Sequence, residues 1–454
     1  MPRKRCVVIG AGLAGLSAAY KLAQRGWGVE VFEAKGQAGG RVHSHTFTTQ
    51  TGAQLVCELG AEWIGKSHTR VLALCDEFGL DTEPHRYSTT FWKDRKPGTR
   101  VYGPEDATLP APVERAYVRF LEKFKTMSFA ERQHLDLYDW WTVLGRNGLD
   151  QELLRQRELE DGTDFGESIR MASAYVAAME YAHSSDSDEL DRKVTGGNVR
   201  LCEALVQAIR ERGGTVHLST PVRSIRQTKT SVILRVGPKS RPHAVRPADL
   251  CICTVPATRL QHFVWSPEPE EHLEAARQLQ YSRITKTAVL FERRFWPASR
   301  SIRRRGRRER TGFAMFTNRV ADFCFDSTYR MNNGTAGVLC SYAFGEKAAN
   351  ISSEDPQALA GWIRGDVLKV LRALKVKQAG TGFQPTYQVE PKPWHDDEWA
   401  GGAYAFYRPG QWFTVRPILQ RPFGRVLFAG EHLAEDSGFM ESAIESGETT
   451  AGAI

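Results

Sequence analysis

Three glycines in "GAGLAG", Gly10, Gly12 and Gly15, stand between an apolar run, "RCVVI", and a helix-like run, "LSAAYKLAQRG". Gly10 permits a tight turn, Gly12 lets the backbone approach a pyrophosphate, and Gly15 allows a helix to pack closely on a strand. A second apolar segment, "WGVEVFE", closes on Glu33, eighteen residues after Gly15. A carboxylate there accepts hydrogen bonds from both hydroxyls of a ribose and repels a 2′-phosphate, which favours NAD or FAD over NADP. Just beyond, "GGRV" offers two glycines for close backbone approach to phosphates and Arg41 to neutralise them. An NAD dehydrogenase has no general need of this second clamp, so FAD is the expected dinucleotide.

The same grammar returns near residue 430. An apolar strand, Val426 to Ala429, runs into Gly430-Glu431, and after a polar stretch Ser437-Gly438 precedes a helix-like run. Strand, glycine, helix aims a helix N-terminus, with its free N–H groups, at a bound anion.

These loops need an α/β frame. Gly26 stops the first helix, and Val29, Val31 and Phe32 supply the second strand. From Gly196, "GGNVRLCEALVQAIRERGG" is an amphipathic helix, followed by the β-rich "TVHLSTPVRSIRQTKTSVILRVG" and "ADLCICTVP". Residues 86–195 are richer in charged helix formers and aromatics, and 257–384 mix strands such as "TKTAVLFE" and "GVLCSYAFG" with the helix "DPQALAGWIRGDVLKVLRAL". The expected fold class is α/β: a discontinuous Rossmann-like FAD-binding domain (1–85, 196–256 and 385–454) with an inserted α+β substrate domain (86–195 and 257–384). A length of 454 residues, 41% of them hydrophobic and 25% charged, suits a globular protein of two or three domains.

No stretch approaches the roughly 20 apolar residues of a membrane helix. The basic N-terminus has too short an apolar part for a signal peptide, so a soluble, cytoplasmic protein is expected. The eight cysteines form no C-x-x-C pair, which fits a reduced protein without structural zinc or disulfides. Of the net charge of +8, the stretch Arg300 to Arg310, with seven Arg and one Glu, carries +6. The excess is local and is expected to be a solvated loop, so nucleic acid is not an expected partner. No metal site is expected; His395 beside Asp396, Asp397 and Glu398 is read as a solvated turn.

"VVIGAGLAGLSAAYKLAQRGWGVEVFEAKGQAGGRV", "ELGAEWIG" and "FAGEH…SGFMESAIESG" together resemble the flavin-containing amine oxidases, a group that includes monoamine, polyamine and L-amino-acid oxidases. The likeness extends through "TPVRSI" and "ITKTAVLFERRFW" and is weakest over 86–195. It implies a two-domain fold, bound FAD, oxidation of a C–N bond, and O2 as the acceptor giving hydrogen peroxide. It places Glu33 at the adenosine ribose, Arg41 at the pyrophosphate and Val222 at the adenine. Glu431 and Met440 follow along the ribityl chain and ring, with Ala14, Ala34, Gly40, Gly60, Ala61, Gly430 and Gly438 also facing the cofactor. The helix beginning near Gly438-Phe439 then points its positive end at the pyrimidine edge of the ring, where negative charge develops on reduction.

The resemblance also implies the chemical centre. Lys286 falls where the family carries a lysine that holds a water at flavin N5; a lysine among apolar neighbours is costly to bury without a partner. Tyr404 and Phe439 match two aromatic walls that orient the substrate amine and exclude water, the second being Tyr in monoamine oxidases. Trp394 matches a tryptophan near the flavin. Ala403 replaces the cysteine through which monoamine oxidases attach their flavin, so non-covalent FAD is expected.

An amino-acid oxidase needs a cation for the α-carboxylate. Where L-amino-acid oxidases of this group carry an arginine after the equivalent of Leu59-Gly60, this chain has Glu62 and Trp63, which resemble the tunnel lining of polyamine oxidases. Arg408, in "YRPGQW", is a substitute clamp that keeps the amino-acid alternative open. The expected substrate is a primary or secondary amine, with an L-amino acid, basic ones included, as the alternative. A flavin-retaining binding protein with little turnover is a third reading, and a homodimer is left open. Carotenoid desaturases and protoporphyrinogen oxidase share the N-terminal fingerprint but do not call for Lys286 with Tyr404 and Phe439.

Overall fold

A computed structural model of the chain describes residues 3–93, 100–102, 109–183, 190–297, 300–304, 307–331, 334–373 and 387–454. Five short strands far apart in sequence form one parallel sheet, in the order Thr215–His217, Gly28–Phe32, Arg5–Ile9, Leu250–Cys253 and Val426–Phe428. The central strand reads almost uninterruptedly apolar because a parallel sheet is covered on both faces. Alternate residues point opposite ways: Cys6 and Val8 enter one core, Val7 and Ile9 another.

The first core is closed by three helices, Leu13–Gln24, Val199–Glu211 and Met440–Gly452. The first and last of these touch backbone to backbone. Ser17 Oγ donates to Ile444 O at 3.3 Å, and a Cβ added at Gly447 would lie 2.1 Å from Ala14 O. On the other face sits a four-stranded sheet, whose Val222, Ile225, Val232, Leu234 and Val236 pack with Val7 and Ile9.

An eight-stranded sheet forms the second unit, in the order Gln388–Pro393, Ile284–Phe291, Gly337–Phe344, Phe323–Asp326, Arg307–Thr317, Tyr87–Lys93 and Arg100–Tyr102, with Arg300–Arg304 paired to Arg307–Thr317. Ile284–Phe291 is buried at all eight positions, as a strand covered on both faces must be. The helix Pro356–Ala373 packs on it through Ile363, Val367 and Leu371 against Val289 and Leu339. Helices between Ala111 and His183 build the remaining wall. Gln388–Pro393, in the stretch read as part of the nucleotide unit, pairs with this second sheet.

The arginine run is not a loop. Its described residues form an antiparallel hairpin in which Arg300 pairs with Thr311 and Arg304 with Arg307. All eight cysteines are buried and unpaired. Among the described residues no helix is long and apolar enough to cross a membrane, and no group of His, Cys, Asp and Glu could hold a metal.

Candidate active site

Gly10 adopts φ +102°, the left-handed region that favours glycine, and its N–H donates to Phe32 O at 2.9 Å. A Cβ at Gly15 would lie 2.0 Å from Gly10 O, so no other residue fits between turn and helix. Gly12 caps the helix Leu13–Gln24 without a side-chain hydrogen bond, and no acidic residue stands in its first turn. Gly12, Leu13 and Ala14 line a cavity of about 920 Å³, onto which the first-turn amides open. The Gly39–Arg41 loop backs onto this turn: Gly39 N–H donates to Ala11 O at 2.8 Å, and a Cβ at Gly40 would meet Gly12 Cα at 3.4 Å.

Glu33 lies at the same end of the cavity. Its carboxylate accepts from Ala11 N–H at 2.7 Å and Lys35 N–H at 2.8 Å, leaving lone pairs for a ribose. Burial raises its pKa, against the pull of those amides.

The last helix reaches the cavity beside the first. Phe439 caps Met440–Gly452, again with no side-chain cap, and Gly438, Phe439, Met440 and Ala443 line the wall. Glu431 ties this end to the first loops. One oxygen accepts from Arg41 Nη1 at 2.7 Å, and the other accepts from Gly438 N–H at 2.9 Å. Burial works against the Arg41 charge, but the Glu431 carboxylate more than compensates and raises its pKa.

Beyond lies an aromatic chamber. Trp63, Phe316, Phe323, Tyr342, Trp394, Tyr404 and Phe439 line it, with Lys286 and Glu62 on its wall. Tyr404 rests on Gly438, where a Cβ would come within 2.9 Å of the ring, and its hydroxyl donates to Thr163 O at 2.5 Å. Phe439 packs against His68, ring centroids 5.5 Å apart. Trp394 is buried, its indole N–H donating to Leu59 O at 2.7 Å. Lys286 Nζ donates to Glu62 Oε2 at 2.5 Å and to Gly60 O at 2.9 Å. Glu62 Oε1 lies 2.8 Å from His85 Nε2. Burial opposes both charges, yet attraction to Lys286 brings Glu62 down to about 2 and attraction to Glu62 raises Lys286. His85 falls to about 4, through burial and then the charge of Lys193.

The expected site residues therefore share one cavity, with two exceptions. Gly15 acts behind the wall, as a packing glycine. Arg408 is not among the lining residues: its N–H donates to Gln411 Oε1 at 2.9 Å in a turn outside the cavity, so the expected carboxylate clamp is not in place. Glu62 is not a solvent-facing tunnel carboxylate but the buried partner of Lys286. His85, Tyr87, Tyr342 and Asp164 also line the cavity and were not singled out from the sequence. No local motif marks them; Tyr87 and Tyr342 come from strands of the second sheet, His85 from the residues just before Tyr87, and Asp164 from the end of the helix Gln151–Phe165. Asp397, read as part of a solvated turn, accepts from Lys35 and Lys392 at 2.7 and 2.6 Å and so anchors the Trp394 turn.

One chamber thus holds two uncapped helix starts, a ribose-grade carboxylate and a glycine cradle, and it continues into an aromatic compartment. That donor set fits a flavin dinucleotide.

Residues 13–454 match the family model for flavin-containing amine oxidoreductases. The L-amino-acid oxidase of Pseudechis australis is 26% identical over 473 residues, covering 99% of this chain and 86% of that protein. The flavin-containing amine oxidase A of Canis lupus familiaris is 24% identical over 469 residues, covering 98% and 84%. Putrescine oxidase bound to putrescine superposes with a TM-score of 0.78 at 20% identity, covering 99% of this chain and 98% of that one. Cyclohexylamine oxidase from Brevibacterium oxydans gives 0.77 at 20% identity, covering 100% and 98%. With the match to the family model spanning nearly the whole chain, and with both helix starts opening on the cavity where that family's cofactor would sit, this chain belongs to the flavin-containing amine oxidoreductases.

Proposed function

We propose that this chain is an FAD-dependent oxidase of a primary or secondary amine. When bound, the flavin supplies the oxidant, taking hydride from the carbon beside nitrogen so that water can hydrolyse the resulting imine, with O2 as final acceptor giving hydrogen peroxide. The chain's residues supply the rest. The 1–85, 196–256 and 394–454 segments hold the cofactor, and 86–195 with 257–384 and the strand Gln388–Pro393 close over the substrate. Gly10, Gly12 and the Leu13 helix start hold the diphosphate, Glu33 the ribose, and Val222 the adenine side. Ala403 offers no sulfur, so the flavin is held without a covalent bond. Tyr404, anchored on Thr163, and Phe439 orient the amine and keep bulk water away.

The observation that carries the amine reading is where Asp164 and Arg408 stand. Asp164 lines the cavity beside Tyr404, whose hydroxyl also meets Asp164 O, while Arg408, the one cation read as a carboxylate clamp, lies outside it. An L-amino acid is the second reading, supported by relatives named as L-amino-acid oxidases at 26% identity. Anaerobic addition of amines and L-amino acids to the yellow protein separates them. Amines should bleach the absorbance at about 450 nm. Bleaching by L-amino acids alone would establish the second reading, and bleaching by neither would refute both.

A further inference from the structure

Around the glycine cradle the cavity wall carries Lys35, Arg41, Arg223, Lys239 and Arg259, against the carboxylates Glu33, Glu398 and Glu431. Several of these cations are matched within the chain. Lys35 Nζ donates to Asp397 at 2.7 Å, Arg41 Nη1 to Glu431 at 2.7 Å, and Arg223 Nε to Gly237 O at 2.9 Å. Arg259 differs. Among the described residues no carboxylate or carbonyl meets its guanidinium, and its Nε is buried without an acceptor.

The side chain is nonetheless held in one place. Arg259 stands on the 3-10 helix Ala257–His262, a few residues after Thr254, which packs on the glycine turn: a Cβ at Gly10 would lie 2.7 Å from Thr254 Oγ1. Its guanidinium lies against Gly401, where an added Cβ would fall 1.6 Å from Nη2 and 2.4 Å from Cζ. Gly401 has φ +66°, so glycine both takes that backbone conformation and leaves room for the arginine. Tyr281 joins Arg259 to Arg41. Its hydroxyl accepts from Ala257 N–H at 3.0 Å, and Arg41 Cζ lies 5.4 Å from its ring centroid. Burial and then Glu431 raise the Tyr281 pKa, while Arg41 and Arg259 both pull against them, so the two guanidiniums share one neighbourhood.

The diphosphate of a flavin dinucleotide is a dianion, and Glu33 and Glu431 bring further negative charge to the same space. Arg41 is already paired with Glu431, and a helix start offers only about half a positive charge. We propose that Arg259 is a second cationic anchor for the cofactor's diphosphate, beside Arg41, supplying the net positive charge that the Arg41–Glu431 pair does not. A planar guanidinium suits two phosphate oxygens at once. The proposal rests on the reading of this cavity as an FAD site.

The test is the affinity of the apoprotein for FAD, titrated by flavin fluorescence quenching at low and at high salt. Arg259→Met removes the charge and keeps most of the bulk. It should weaken FAD binding about ten- to a hundredfold, as loss of a charge-assisted hydrogen bond does. It should also flatten the salt dependence, because a screened attraction has gone. Arg259→Lys, which keeps the charge and loses the fork, should fall between the two. Arg259→Met that binds FAD as tightly as wild type would overturn the proposal. So would weaker binding with the salt dependence unchanged, the signature of lost packing on Gly401. If Arg259→Met fails to fold, Arg259→Gln carries the same two outcomes. Wild-type apoprotein that takes up no FAD would remove the flavin reading and this proposal with it; a failure confined to the variants touches Arg259 alone.

Discussion

Gly447→Ala tests the convergence of the first and last helices at a position outside the cavity. The new methyl would lie 2.1 Å from Ala14 O and 2.4 Å from Ser17 Oγ, where real Cβ atoms keep at least 3.0 Å. Ser17 can rotate; the Ala14 carbonyl belongs to the helix ladder and cannot. The helices must part by roughly 1 Å, an overpacking strain of about 1–3 kcal/mol. Both uncapped N-termini then withdraw together from the chamber. Each helix end contributes about 0.3–1 kcal/mol toward a nearby anion, falling off within one turn. Losing part of both costs about 1 kcal/mol, so flavin affinity should weaken about fivefold. Titration of apoprotein by flavin fluorescence quenching gives the affinity, and thermal unfolding gives the strain. Gly452→Ala, on the same helix with no atom within 4 Å of its added methyl, is the control and should change neither adversely. If Gly447→Ala binds flavin as tightly as wild type and melts at the same temperature, the close helix contact does not position the site.

Acid precipitation of the holoprotein should release all flavin into the supernatant, because alanine stands at 403; yellow pellet would contradict this. Arg408→Ala should leave the KM of the best amine unchanged, and a large rise would place Arg408 at the substrate after all. Acid should cost the wild type a specific stability. Glu62 is depressed from 4.5 to about 2 in the folded state, so its contribution is complete above about pH 4.5 and is lost as pH falls through about 2. That is about 3 kcal/mol as an upper bound, read from urea unfolding at descending pH. The Glu62→Gln/Lys286→Met double variant should lack this increment; an identical acid profile would show that the pair does not stabilise the fold.

What could be read from the sequence was whatever local geometry dictates. Gly10, Gly12 and Gly15 act within one turn, so their spacing alone implied the cradle, and the helix predicted near Gly438-Phe439 begins at Met440. Ile284–Phe291 was legible as a strand, but three of its residues are polar, so its burial at all eight positions came only with the fold. Pairings across the chain were not legible. Lys286 and Glu62 stand 224 positions apart, and each was read alone, one as a water ligand and the other as tunnel lining. Arg408 carries the right chemistry beside a turn, but only the fold decides which way that turn faces. The arginine hairpin was masked by composition, since repeated charge hides the alternation that normally reveals a strand. His85 and Asp164 carry no motif, and their roles come entirely from what packs around them.

The central claim is that two distant helix starts grip the two ends of one flavin. Hydrogen exchange of the apoprotein with and without added FAD measures it directly, amide by amide. Slower exchange at Leu13–Ala14 and at Gly438–Met440 together, with the same FAD dependence, is the predicted result. Protection confined to the first helix, with the last unchanged at saturating FAD, would contradict it.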